Sequence, residues 1–173
     1  MFELQITKEN SEFTEMAMHK ITEKEYASLK KQLLSECESI QRKAIDSSKA
    51  AMDETQLALN EYGPNKDRYD SFRDQLISKR DMFAAQYQKA LTECSILKKI
   101  DPNNISKVVE FGAVIVTLKS RFFISISSGK IELDGVTYYA ISAAVPLFHA
   151  MKGLSKGDTF EFNGQKQTIT DLF

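Results

Sequence analysis

The residues best suited to chemistry lie in one short stretch, Glu61-Tyr62-Gly63-Pro64-Asn65-Lys66-Asp67-Arg68-Tyr69-Asp70. Glu61, Asp67 and Asp70 bring three carboxylates together there. Carboxylate oxygens are hard ligands, suited to Mg²⁺ or to pairing with cations. Gly63 can take the left-handed conformation that closes a helix, and Pro64 cannot continue one. Asn65 suits the N-cap of a following helix, and Asp67 would then sit in its first turn, where the dipole favours negative charge. The stretch therefore predicts a tight turn carrying an acidic cluster between two helices. A plain solvated turn has the same composition, so the remainder of the chain must decide between them.

Several function classes are disfavoured. The chain has 173 residues and a net charge of -1, so no overall field points to nucleic acid or a membrane surface as the main partner. No apolar run approaches the roughly 18 residues that span a bilayer. The opening Met1-Phe2-Glu3-Leu4 lacks a basic region leading into an apolar one, so no secretory signal is visible and a cytoplasmic setting is expected. Cys37 and Cys94 are too few for a disulfide scaffold. There is no CxxC, HExxH, P-loop or GxGxxG. His19 and His149 lie far apart in the sequence with no cysteine at ligand spacing, so a metal site built on them is not expected.

Two long helices must position the acidic turn. Thr22-Glu23-Lys24-Glu25 is a capping box. From it Tyr26, Leu29, Leu33, Cys37, Ile40, Ala44, Ser47, Ala51, Thr55 and Ala58 follow steps of three and four. No Gly or Pro interrupts before Gly63, which predicts one helix of roughly 40 residues, about 60 Å long. A second helix is expected from near Lys66 to Lys98-Lys99, with Tyr69, Phe72, Leu76, Phe83, Tyr87, Ala90, Cys94 and Leu97 along its seam. Folded about Gly63, facing residues have numbers summing to roughly 130. Cys37 would meet Cys94, Ala44 would meet Tyr87, Ser47 would meet Phe83, and Ala58 would meet Phe72. Small residues then face aromatics, as a packed antiparallel coiled coil needs. The cysteines read as reduced seam residues. Residues 1–21 form an N-terminal extension to which the sequence assigns no role.

After Asp101-Pro102-Asn103-Asn104 the period becomes that of strands. The runs 108–118, 122–127 and 136–141 are β-rich, with turns at Ser128-Gly129 and Asp134-Gly135. Val145 to Gly153 reads as a short helix, with Pro146 in its first turn. Two last strands, 158–162 and 166–169, flank Asn163-Gly164. The fold class is α+β: a coiled-coil hairpin over 22–100 with its tip near 61–67, then a small antiparallel sheet domain with one helix over 105–173. Phe111, Phe122, Tyr139, Phe148, Phe160 and Phe162 are its candidate core.

Two stretches resemble the Gre family of bacterial transcript-cleavage factors, GreA and GreB. At the tip, Glu61-Tyr62-Gly63-Pro64-Asn65-Lys66-Asp67 is similar to the family's Glu-x-Gly-Asp-x-(Lys or Ser)-Glu. Near the C-terminal end the similar run is 141–147, then Ala150-Met151-Lys152-Gly153, then Lys156-Gly157-Asp158-Thr159-Phe160-Glu161-Phe162. The resemblance covers about residue 22 to the end. It implies an FKBP-like sheet domain and a protein that binds bacterial RNA polymerase as a monomer, away from membranes. It implies docking through Pro146, Leu147 and Met151, with burial of Leu147 and Met151 against the sheet as the alternative. The coiled coil would enter the polymerase secondary channel and meet nascent RNA only indirectly, inside the complex. Two tip acids would help hold Mg²⁺ at the polymerase's own active site and promote cleavage of backtracked RNA. The chain itself would be no enzyme and would own no cofactor.

The tip departs from the family pattern. Asp67 matches the second tip acid, but the first falls on Pro64, which has no side-chain ligand. Asn65, Asp70 and Glu61 are the candidates to complete a rearranged set, with solvation or pairing to Lys66 and Arg68 as the plainer role for the acids. Two versions stay open: a cleavage factor with Asp67 as metal ligand, and a non-cleaving regulator that occupies the channel. Two other classes compete with both. One is an FKBP-like prolyl isomerase or chaperone, which needs an aromatic-lined pocket over the sheet. The other is a coiled-coil adaptor, which needs an apolar stripe on the outer helix faces.

Overall fold

The computed structural model describes residues 22–67 and 70–173. The extension 1–21, with His19, and the positions Arg68 and Tyr69 lie outside them. Helix α1 spans Glu23–Tyr62 and helix α2 spans Ser71–Leu97. Six strands and one short helix follow: β1 Val114–Thr117, β2 Arg121–Ser125, β3 Gly129–Leu133, β4 Val136–Ser142, α3 Pro146–Met151, β5 Thr159–Phe162 and β6 Gln165–Leu172. The class is α+β, two long helices followed by a six-stranded sheet with one helix. Among the described residues no helix is long and apolar enough to cross a membrane.

The start of α1 is the capping box: the Thr22 hydroxyl accepts the Glu25 N–H, and the Glu25 carboxylate accepts the Thr22 N–H. The helix then runs 40 residues without a break. Its buried line is Lys30, Leu33, Cys37, Gln41, Ser48, Thr55 and Leu59. This shifts the expected seam in its distal half, since Ser48 rather than Ser47 is buried, and Leu59 is more buried than Ala58. The Ser48 and Thr55 hydroxyls donate to the carbonyls of Ala44 and Ala51, at 2.6 and 2.7 Å. Helix α2 returns alongside, tied by Arg80 Nη1 donating to Gln56 Oε1 at 3.2 Å. Only Ala90 and Leu97 of α2 are fully buried, and Phe72 is 54% exposed rather than seated in the seam.

Both cysteines are free thiols. Cys37 lies in the core that the second helix and the sheet share. Its Sγ lies 4.0 Å from Ser125 Oγ, and burial pushes its thiol pKa up.

The strand order is β3-β4-β2-β1-β6-β5. The sheet is mixed, which corrects the expected antiparallel one: β2 and β4 run parallel, with Phe122 opposite Tyr139 and Ser125 opposite Ser142. Strand β3 lies outside β4, paired antiparallel to it from Gly129↔Ala140 to Leu133↔Val136. The sequences explain the order. β4 is rich in β-branched and aromatic residues and suits an interior position. β3 alternates Lys130 and Glu132 with Ile131 and Leu133, and charged residues suit an edge.

Side chains alternate between two cores. One face carries Val114, Phe123, Ile131, Tyr138, Ala140 and Phe173, and receives Leu33, Cys37, Leu97 and Ile100 from the long helices and the linker. The other carries Ile115, Phe122, Ile124, Phe160 and Ile169 under Phe148 and Met151 of α3. Of the expected core, Phe122, Phe148 and Phe160 are buried, Phe111 and Phe162 are half-buried, and Tyr139 is 41% exposed.

Polar ties join α1 to the sheet as well. Tyr26 stacks on Phe173 at 4.2 Å and donates its hydroxyl to Asp171 at 2.6 Å. Burial, then that carboxylate, pushes the Tyr26 phenol up to about 12. Lys30 is 1% exposed and donates to the Asn104 carbonyl at 2.6 Å. Burial lowers its pKa, against the pull of Glu110 and Asp101.

Leu33→Ala should cost about 2–5 kcal/mol, the range for a buried leucine whose cavity collapses partly. Because Leu33 belongs to the core shared with the sheet, helical circular dichroism and tyrosine fluorescence should report one denaturant transition, displaced together in the variant. Two separated transitions would show that helices and sheet fold independently.

Candidate functional site

The far end of the helical pair is built around one carboxylate. Helix α1 closes at Gly63, whose positive φ of 85° favours glycine but whose ψ of -161° differs from the expected left-handed cap, and its N–H donates to the Leu59 carbonyl at 3.1 Å. Pro64, Asn65, Lys66 and Asp67 are exposed and non-helical. The N-cap of α2 is Asp70, not Asn65, and the helix begins at Ser71, not near Lys66. The physical reason is the Asp70 side chain, which accepts the Arg73 N–H at 3.2 Å as an N-cap must. Asp67 therefore lies in the turn and not in the first turn of α2.

Asp70 is 8% exposed. Besides Arg73 N–H it accepts the Tyr62 hydroxyl at 2.9 Å and the Lys66 N–H at 3.1 Å. Burial works to raise its pKa, but the Lys66 and Arg73 N–H groups and the Tyr62 hydroxyl outweigh it, and the carboxyl sits below its ordinary value. The same bond raises the Tyr62 phenol. The Lys66 ammonium lies 4.2 Å from the Tyr62 ring centroid, and the Phe72 ring packs on Tyr62 at 5.1 Å. Arg73 Nε donates to the Gly63 carbonyl at 3.1 Å, satisfying a helix-end acceptor.

The three acids thus divide. Asp70 is held in the structure of the turn, while Glu61 and Asp67 are exposed. No group of three or more His, Cys, Asp or Glu among the described residues is gathered as a metal ion would need.

The second candidate region lies on the sheet. Pro146 is exposed, Leu147 is half-buried against the α3 core, and Met151 is fully buried. Met151 is therefore a core residue and offers no docking surface, because its side chain fills the space between α3 and the sheet. Just before Pro146 an open groove of about 400 Å³ runs between the last turns of α2 and the ends of β2 and β4. Ile96, Phe111, Ile126, Ala143 and Ala144 line it, with Glu93 among them. Sequence reasoning missed this groove because it joins residues far apart in the chain. The signal that existed was the excess of apolar residues at the end of α2.

Compared with protein-family models and with curated proteins, the chain matches none.

The pH response of the tip follows from Asp70. Its folded carboxyl lies below the unfolded one, so the stabilisation is fully present above the ordinary aspartate value of about 3.9 and is lost as pH falls through the lower folded value. Amide chemical shifts of Lys66 and Arg73 should hold steady down to the ordinary aspartate range and move only below it. A midpoint at or above that range would show that these donors do not grip the carboxylate.

Proposed function

We propose that this protein is a Gre-like regulator that binds bacterial RNA polymerase, inserts its helical tip into the secondary channel and acts there by occupancy. The observation that carries the reading is the shape of the helical pair. Only Tyr26 to Ile40 of α1 pack into the core shared with the sheet. Residues 42–62 run on from it for about 30 Å at the helical rise. They end in a folded turn with exposed Glu61 and Asp67. On this reading the pair is the antiparallel coiled coil of the family and the sheet its FKBP-like base. The Gre-like runs at 61–67 and 141–162 support it.

The sheet supplies the anchor in this scheme. Exposed Pro146, half-buried Leu147 and, separately, the apolar groove lined by Ala143 and Ala144 are the surfaces offered to the polymerase. Anchoring through the base and probing through the tip are then separate tasks on one molecule.

Occupancy is favoured over cleavage by the tip chemistry. Pro64 stands where the family's first tip acid belongs, and the Asp70 oxygens already accept three donors. These residues do not fit a metal holder on their own, so no metal step is assigned to this chain. Any Mg²⁺ involved would be the polymerase's. The isomerase reading is weaker, since Phe148 and Met151 fill the space between α3 and the sheet.

The full chain should co-purify with bacterial core polymerase, and binding should weaken when half-buried Leu147 or exposed Ala144 at the base is replaced by Asp. Absence of binding by the intact protein would end the proposal. Added to a backtracked elongation complex with Mg²⁺, the protein should leave RNA length unchanged while altering the rate of nucleotide addition. Shortened RNA that disappears with Asp67→Ala would replace occupancy by the cleavage mechanism.

A further inference from the structure

We propose that Asp70 is a positioning residue of the tip, one carboxylate that ties the end of α1, Lys66 and the start of α2 to one another before any partner is met. Its importance for what the tip does in the channel rests on the function proposed above. Its role in shaping the turn does not.

Three segments meet at this side chain. Tyr62 is the last residue of α1, Lys66 lies in the turn, and Arg73 is in the first turn of α2. All three donate to Asp70: Tyr62 Oη and Arg73 N to Oδ1, and Lys66 N to Oδ2. A carboxylate with both oxygens so engaged, and 8% exposed, is poorly placed to be a metal ligand. It is well placed to be a clasp. Charge-assisted bonds of this kind are stronger than neutral ones.

Two further contacts rest on the clasp. The Tyr62 hydroxyl bond orients its ring, and the Lys66 ammonium and the Phe72 ring pack against that ring. The Lys66 backbone is thereby held by Asp70 and its ammonium by Tyr62. The arginine on the other side donates its Nε to the Gly63 carbonyl, which pins the start of the turn. Gly63, Lys66 and Arg73 are thus tied at both ends of the exposed segment that carries Asp67. A turn of this composition without such ties samples many shapes. Ordering it in advance removes that cost from the binding step.

Hydrogen exchange of the free protein tests the clasp directly. In Asp70→Ala the Lys66 and Arg73 amides should exchange roughly ten-fold faster or more, while those of Ile124 and Ala140 in the sheet stay unchanged. Asp70→Asn, whose amide oxygen still accepts, should fall between. In Asp70→Ala the Tyr62 phenol should also titrate closer to its ordinary value. Unchanged exchange at Lys66 and Arg73 in Asp70→Ala overturns the proposal, whatever the polymerase experiments give. With core polymerase, Asp70→Ala should keep its affinity within about three-fold, since the base anchors it, and should lose most of its effect on nucleotide addition. If Asp70→Asn loses that effect as fully as Asp70→Ala while its amides remain protected, Asp70 acts through its charge on the partner and the positioning role is overturned. If the exchange results hold but wild-type protein does not bind polymerase, the clasp stands and the channel function falls.

Discussion

The structure depends on one shared stretch, the first turns of α1 from Tyr26 to Ile40. Leu33 and Cys37 are fully buried there, packed at once against the returning helix and against the sheet. Burying a leucine side chain stabilises by about 1.5–3 kcal/mol. The Lys156–Asp171 pair nearby has its lysine 63% exposed and belongs to a class worth about 0–1 kcal/mol. Apolar burial therefore decides how helices and sheet are joined, and the polar ties of Tyr26 and Lys30 refine the alignment. A consequence is that the helical pair cannot swing about a loop. Changing its direction would require opening the core that holds the sheet's own face.

The distal half of the pair is held differently. Its buried line on α1 runs Gln41, Ser48, Thr55 at intervals of seven, before reaching Leu59. These are small or polar groups, and the Ser48 and Thr55 hydroxyls are satisfied within their own helix. Such a seam lets two backbones approach but buries little apolar surface. The facing residues Leu76, Phe83 and Tyr87 are only half-buried. Apolar burial is therefore concentrated at the base, in the sheet core, while the tip is tied by the polar bonds of Asp70. A pair fastened in this way keeps its length even where its middle is thinly packed.

Much of this was legible in the sequence, because it is local. The capping box, the uninterrupted run to Gly63, the α2 end near Lys98 and the Asn163-Gly164 hairpin are all set by residues within a few positions of one another. What was not legible depended on distant partners. Asn65 and Asp70 are both good N-caps, and only the bonds from Tyr62 and Lys66 to Asp70 decide which is used. Strand β3 was hidden between two turn signals, although Lys130-Ile131-Glu132-Leu133 alternates as an edge strand should. The parallel pairing of β2 with β4 follows from the preference of β4 for the interior, a competition between strands that no single window displays. Phe123 escaped notice as core because β2 is buried on both faces and a period of two conceals that.

The tip shows how one acid-rich sequence can serve two unlike purposes. Read as composition, Glu61, Asp67 and Asp70 are three equivalent candidates for a cation. Burial separates them: a carboxylate taken out of water must be compensated by donors, and Asp70 recruits two backbone N–H groups and a phenol for that purpose. Once so engaged it gives up ligand chemistry and gains control of shape. Glu61 and Asp67 stay exposed at the end of the pair. On the function proposed above, occupancy needs no more than this, since excluding or redirecting a substrate in a narrow passage requires length and a defined end. Metal assistance would ask for a convergent set of oxygens, and the residue whose bonds tie the turn together is the same residue that such a set would have needed.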